Sequence, residues 1–202
     1  MRKGIVGALI ALTAAVFGQS TAVQLSSSSA APGSSMVLNV SLSATSASPA
    51  STQFTLAYST TDFSAISITQ GSATTASSKT LTCTTSAGRA VCVVWGDNTT
   101  AIQNGVVAMV QLTVSPTTID TSSAVVLSAA SSVSTTGNAI TATASGASVA
   151  IVQPTLLSLA CSPTQVIPAA APTCTVTMTS AVPSAVSVAL SSNSANLVVP
   201  SN

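Results

Sequence analysis

Apolar residues recur at every second position in three stretches of the chain. In SMVLNVSLSA the residues Met36, Leu38, Val40 and Leu42 alternate with mostly polar neighbours. TQFTLAYS does the same through Phe54, Leu56 and Tyr58, and GVVAMVQLTV through Val106, Ala108, Val110, Leu112 and Val114. A period of two sends successive side chains to opposite faces, so each stretch predicts a strand with one side buried. Residues 64–69, 78–85, 89–96, 122–130, 138–143 and 147–152 read as further strands, with turn residues between them. No sustained helical period follows the amino-terminal segment. Such a series of short, half-buried strands predicts an all-β sandwich over residues 23–152, long enough to bury one core.

The segment TCTTSAGRAVC, residues 82–92, predicts a hairpin around Ala87-Gly88. With those two residues as the loop, Ser86 faces Arg89, Thr85 faces Ala90, Thr84 faces Val91 and Cys83 faces Cys92. Counting outward by alternation makes the cysteines a non-hydrogen-bonded pair, with Cα atoms about 4.5 Å apart. That spacing suits a disulfide. The same pairing gathers Leu81, Cys83, Cys92 and Val94 on one side, and Thr80, Thr82, Thr84, Val91, Val93 and Trp95 on the other. The first set is wholly apolar and is assigned to the core. Trp95, the chain's single tryptophan, then lies on an outer face with Val91 and Val93; with the faces reversed it is buried, as single tryptophans in sandwiches commonly are.

The disulfide requires an oxidising compartment, and the amino terminus supplies the expectation of one. MRKGIVGALIALTAAVFGQSTA carries Arg2 and Lys3, an apolar run from Gly4 to Phe17, and then Ser20 and Ala22 at the small-residue positions of a cleavage site. This reads as a secretory signal peptide over residues 1–22, with a mature chain from Val23. About 14 apolar residues fall short of the roughly 20 that span a bilayer. No later stretch is apolar without polar interruption, so no transmembrane segment is expected in the mature chain.

Charge is scarce enough to exclude whole classes of chemistry. Charged residues are 3% of the chain and histidine is absent. Beyond the leader only Lys79, Arg89, Asp62, Asp97 and Asp120 remain. Two cations do not make a phosphate-binding groove, so nucleic acid is not expected as a partner. Without histidine there is no Ser-His-Asp or Cys-His arrangement and no histidine-bearing metal site. Three aspartates distant in sequence still allow a glycosidase pair or a calcium site by convergence. No glutamate and no DxDxDG run supports either, so no catalytic residue, metal or cofactor is assigned. Asp97 and Asn98 follow Trp95-Gly96 and are candidate ligand contacts beside the indole; the turn-forming habit of Asp and Asn explains them equally. Asn39 and Asn98 each open a glycosylation acceptor triplet.

The order APGSSMVLNVSL, QFTLAYSTTDFSAISITQGS, VVWGDNTTAIQNGVVAMVQLTV and a closing strand after TGNAI resembles the cohesin domain over nearly all of residues 23–152. Pro32-Gly33 before a long strand, the FxLxY run from Phe54 to Tyr58, and the strand led by Gly105 carry the likeness most. Where the family often has an acidic residue and proline after the tyrosine, this chain has Ser59-Thr60. The resemblance implies a nine-stranded jelly-roll sandwich related to carbohydrate-binding modules. It also implies a dockerin-like protein partner, or a role in polysaccharide handling on secreted and surface proteins. In cohesins the hairpin at this place contributes to the flat face that receives dockerin, which puts Trp95, Val91 and Val93 on that surface. An exposed tryptophan on an uncharged face also suits stacking on a sugar ring.

After Val152 the sequence changes character. Residues 153–202 resemble the first half of a bacterial Ig-like repeat of the SCSPTxV…CTVT kind, which implies a second disulfide, Cys161 to Cys174, tying its first strand to its second. About 50 residues supply roughly four of the seven strands of such a sandwich. An incomplete sequence and strand donation by another chain both remain open. The expected function is a secreted, non-enzymatic binding or scaffold module linked to polysaccharide, with a protein-interaction or adhesion scaffold as the alternative.

Overall fold

The computed structural model describes residues 18–162, 172–180 and 188–192; most of the leader reading falls on residues outside these. The first half of the chain builds β1 (Ser20–Leu25), β2 (Ser29–Ala30), β3 (Ser35–Thr45), β4 (Pro49–Ala57) and β5 (Phe63–Gln70), then a single helical turn, α1 (Ser72–Ala76). The second half adds β6 (Thr80–Ser86), β7 (Arg89–Trp95), β8 (Gly105–Val114), β9 (Ser122–Ser134), β10 (Ala139–Ser145) and β11 (Ala147–Ile151). Nine of these strands form one continuous hydrogen-bonded path, β5-β8-β3-β1-β10-β9-β4-β7-β6, and β2 and β11 attach beside it. The path folds over itself as a jelly roll. One layer is β5-β8-β3-β1, the other β9-β4-β7-β6, and β10 joins them by pairing with β1 in parallel and β9 in antiparallel.

The alternation that predicted the strands also fills the core. Met36, Leu38, Val40 and Leu42 of β3 pack with Phe54 and Leu56 of β4, and with Val110, Leu112 and Val114 of β8, all buried. The alternation fails at the start of β8. Val106, expected inside, is half-buried, and Val107 beside it is fully buried. The cause is a bulge: the β3–β8 register slips between Val40 and Ser41, so β8 carries one extra residue there and its facing pattern inverts.

Strand β1 begins at Ser20, three residues inside the leader expected over residues 1–22. Ser20 to Leu25 pair with β3 on one side, and Ser20 to Gln24 with β10 on the other. Thr21, Val23 and Leu25 point inward. Thr21 shares a buried hydroxyl chain that crosses the sandwich, its Oγ1 2.9 Å from Ser132 Oγ, which in turn donates to Thr52 Oγ1 at 3.0 Å. The one helical turn, absent from the sequence reading, is too short to show a period. It is held by tertiary contacts, with Thr74 Oγ1 donating to the Val107 carbonyl at 2.8 Å.

Residues after Val152 form a separate two-stranded antiparallel sheet, β12 (Leu156–Ser162) and β13 (Thr173–Met178). Cys161 and Cys174 are opposite one another and bonded as expected. The remaining strands expected of an Ig-like repeat fall largely on residues outside those described.

Candidate partner-binding face

The β6–β7 hairpin has the register read from its sequence, with Ser86 opposite Arg89 and Cys83 opposite Cys92. The turn needs its glycine: Gly88 has φ of +73°, a conformation that side chains resist. The disulfide forms with Cα atoms 4.1 Å apart. Cys92 and Val94 are fully buried, while Cys83 and Leu81 pack against the core from the edge strand. Of the two face assignments, the first therefore holds. Trp95 is 45% exposed on the outer side.

Cross-strand pairing turns that outer side into a surface four strands wide. Val93 lies between Gln53 of β4 and Thr82 of β6, and Val91 between Thr84 and the buried Thr55. Arg89, between Ala57 and Ser86, is the only charged residue in these rows. Beyond β4, strand β9 adds Val126, Ser128 and Ser131 opposite Ala57, Thr55 and Gln53. Val126 and Val133 are exposed. Trp95 sits opposite Thr80 at the far end of β7, and its indole Nε1 donates to Thr82 Oγ1 at 2.9 Å. That bond fixes the ring across the face while leaving a large apolar area in solvent.

The structure places Val91, Val93 and Trp95 on one outer face, as expected from the hairpin, and adds β4 and β9 residues that sequence reasoning did not place there. The signal for Gln53 and Thr55 was present as the polar half of the TQFTLAYS alternation. For β9 it was not, because the strand carries a bulge near Ala129, whose φ is +49°.

Asp97 and Asn98 lie in the loop that follows Trp95. The Asn98 carboxamide is spent on the backbone, Nδ2 donating to the Ser78 carbonyl at 2.8 Å and Oδ1 accepting from the Thr100 amide at 3.0 Å. The buried Lys79 donates to the Asn98 carbonyl at 2.6 Å. These bonds hold the loop in shape, and Asp97 remains exposed. The other two aspartates meet elsewhere. Asp62 is buried, and its carboxylate accepts from Ser123 Oγ at 2.7 Å and Thr118 Oγ1 at 3.0 Å. Burial alone would raise its pKa, but hydrogen bonds from Ser123, Ser59 and Thr118 outweigh it and hold the carboxyl below its ordinary range. Asp120 moves the other way, raised by its hydrogen bond to Asp62 and by the charge there. Among the described residues no group of three or more His, Cys, Asp or Glu is placed to hold a metal ion.

The outer side of the β9-β4-β7-β6 layer is thus a sheet face four strands wide on a jelly-roll sandwich. The cohesin domain model matches residues 21–151, and the chain belongs to the cohesin family. Solved structures agree on the fold. The sixth cohesin of Acetivibrio cellulolyticus scaffoldin B, solved in complex with the Cel5 dockerin, is 19% identical; the alignment covers 66% of this chain and 99% of that one, with a TM-score of 0.59. The cohesin of the OlpA–Doc918 complex of Clostridium thermocellum is 17% identical over 66% of this chain and 99% of that one, with a TM-score of 0.58. A non-cellulosomal cohesin from the archaeon Archaeoglobus fulgidus is 19% identical over 66% and 91%, with a TM-score of 0.53. No curated protein matches the chain in sequence.

Proposed function

We propose that this chain is an extracellular protein-interaction module that receives a dockerin-like partner on the β9-β4-β7-β6 face. Trp95 carries the reading: a half-exposed indole, fixed by Thr82 and flanked by Val91 and Val93, on a surface with a single charge. Large aromatic residues held rigid on a flat surface are the usual energetic anchors of protein interfaces. Membership of the cohesin family, some of whose solved members carry bound dockerins, supports a protein partner over a polysaccharide. Export is supported by the leader-like amino terminus and by two disulfides. Among the described residues no helix is long and apolar enough to cross a membrane.

The test is retention of the folded chain on immobilised dockerin modules from the source organism's secreted proteins, beside insoluble cellulose and xylan. Retention by a dockerin, weakened about 30-fold or more in Trp95→Ala by the loss of a hot spot of about 2 kcal/mol, is the expected result. Binding to the polysaccharides alone, lost in the same variant, would instead make the face a sugar platform.

A further inference from the structure

We infer that the leader is cut between Gly18 and Gln19, so that the mature chain starts four residues before Val23. The inference rests on the export reading and on where a new amino terminus can lie in this fold. Cleavage creates an α-ammonium group, which is charged at neutral pH and must stay hydrated. Val23 is fully buried in the middle of β1. A chain starting there would place that charge inside the sheet. It would also lose Ser20, Thr21 and Ala22, each paired on one side with β3 and on the other with β10. The buried Ser132 would keep its bond to Thr52 and lose the one to Thr21.

Moving the cut upstream, the peptidase's need for small residues at the first and third positions before the bond removes most alternatives. Cutting before Ser20 would place Gln19 and Phe17 at those positions, and both are too large. Cutting before Thr21 presents Ser20 and Gly18, which fit, but puts the charge on Thr21, which is 2% exposed. Cutting before Gln19 presents Gly18 and the modest Val16, and Gln19 is exposed just outside β1. Of the cuts compared, it alone meets the peptidase's need and leaves the whole strand intact with its charge in water.

An amino-terminal glutamine has a further consequence. Its α-nitrogen attacks the side-chain Cδ, the amide nitrogen leaves as ammonia, and a five-membered lactam closes that no longer carries a charge.

The experiment is to export the full chain from a bacterial host through its general secretion route and read the first residue by peptide mass spectrometry. A terminus at Gln19, open or as the lactam lacking one ammonia, is expected. Gly18→Leu should abolish or displace that cut, and Ala22→Leu should leave it unchanged. A mature chain beginning at Val23 would overturn the inference and leave the export reading standing. A chain retained in the cytoplasm and still beginning at Met1 would overturn both.

Discussion

At the scale of single residues, the buried carboxylate of Asp62 is the most consequential polar group in the sandwich. It joins the turn before β5 to β9 through Ser123, and to the loop after β8 through Thr118. Asp62→Ala leaves those hydroxyls without their charged acceptor, and we expect a loss of about 1.5–3 kcal/mol in denaturant unfolding. The sign with pH follows from the direction of each shift. Asp62, held below the ordinary value of 3.8, stabilises the fold above that value, and the contribution is lost as pH falls through its depressed pKa. Asp120, raised above 3.8, favours the folded state while protonated and loses that advantage as pH rises through its own pKa, where the two carboxylates repel. Thermal unfolding of the parent chain should therefore gain stability as pH falls through the raised pKa of Asp120 toward 3.8. Asp120→Asn should abolish that gain. Ala129 offers a change of the opposite kind. Its φ of +49° suits glycine better than alanine, so Ala129→Gly should raise stability by up to about 1 kcal/mol, although glycine usually weakens a strand.

Elements show how much of the fold could be read from residue order. The register of β6 on β7 was legible in full, because a two-residue loop and two cysteines leave one arrangement. The faces of β3 and β4 were legible because their apolar residues alternate without a break. Strand β1 was not, since Ser20 and Ala22 also suit a cleavage site and three inward residues make a weak pattern. In β8 and β9 the bulges invert the facing of residues that alternation alone assigns wrongly or not at all. These are properties of pairing with a partner strand, absent from the strand's own sequence. The candidate face was accordingly legible on the hairpin and illegible across β9. The hairpin's disulfide belongs to this scale, because it acts on the strand pair. Replacing Cys83 and Cys92 together by alanine should cost about 2–3 kcal/mol, from the freedom regained by a short unfolded loop. Since Cys92 is fully buried and Cys83 lies at the edge, the double variant should still fold, with a lower unfolding midpoint and unchanged secondary structure by circular dichroism.

For the molecule as a whole, scarcity of charge sets the physical character. Beyond the leader the sequence holds two cations and three aspartates; of these, Lys79 and Asp62 are buried. Stability must come from the apolar core and the backbone ladder. A partner would meet one cation, Arg89, on the candidate face. Affinity for that partner should change by no more than about fivefold between 0.01 and 0.15 M salt, since one exposed ion pair is worth at most about 1 kcal/mol; titration calorimetry at the two ionic strengths checks this. The arrangement of β1 also bears on when the molecule can exist at all. Its parallel neighbour arrives late, for the contact of Thr21 with Thr143 spans 122 residues. A chain threaded amino end first has β1 outside the membrane long before β10 follows. Until then β3 can cover only one edge of β1, and the two layers cannot be joined. On the export reading proposed above, closure waits until β10 has followed, and a chain stalled before Ser145 presents an unfinished sheet, with Val23 and Leu25 uncovered, to every protease it meets.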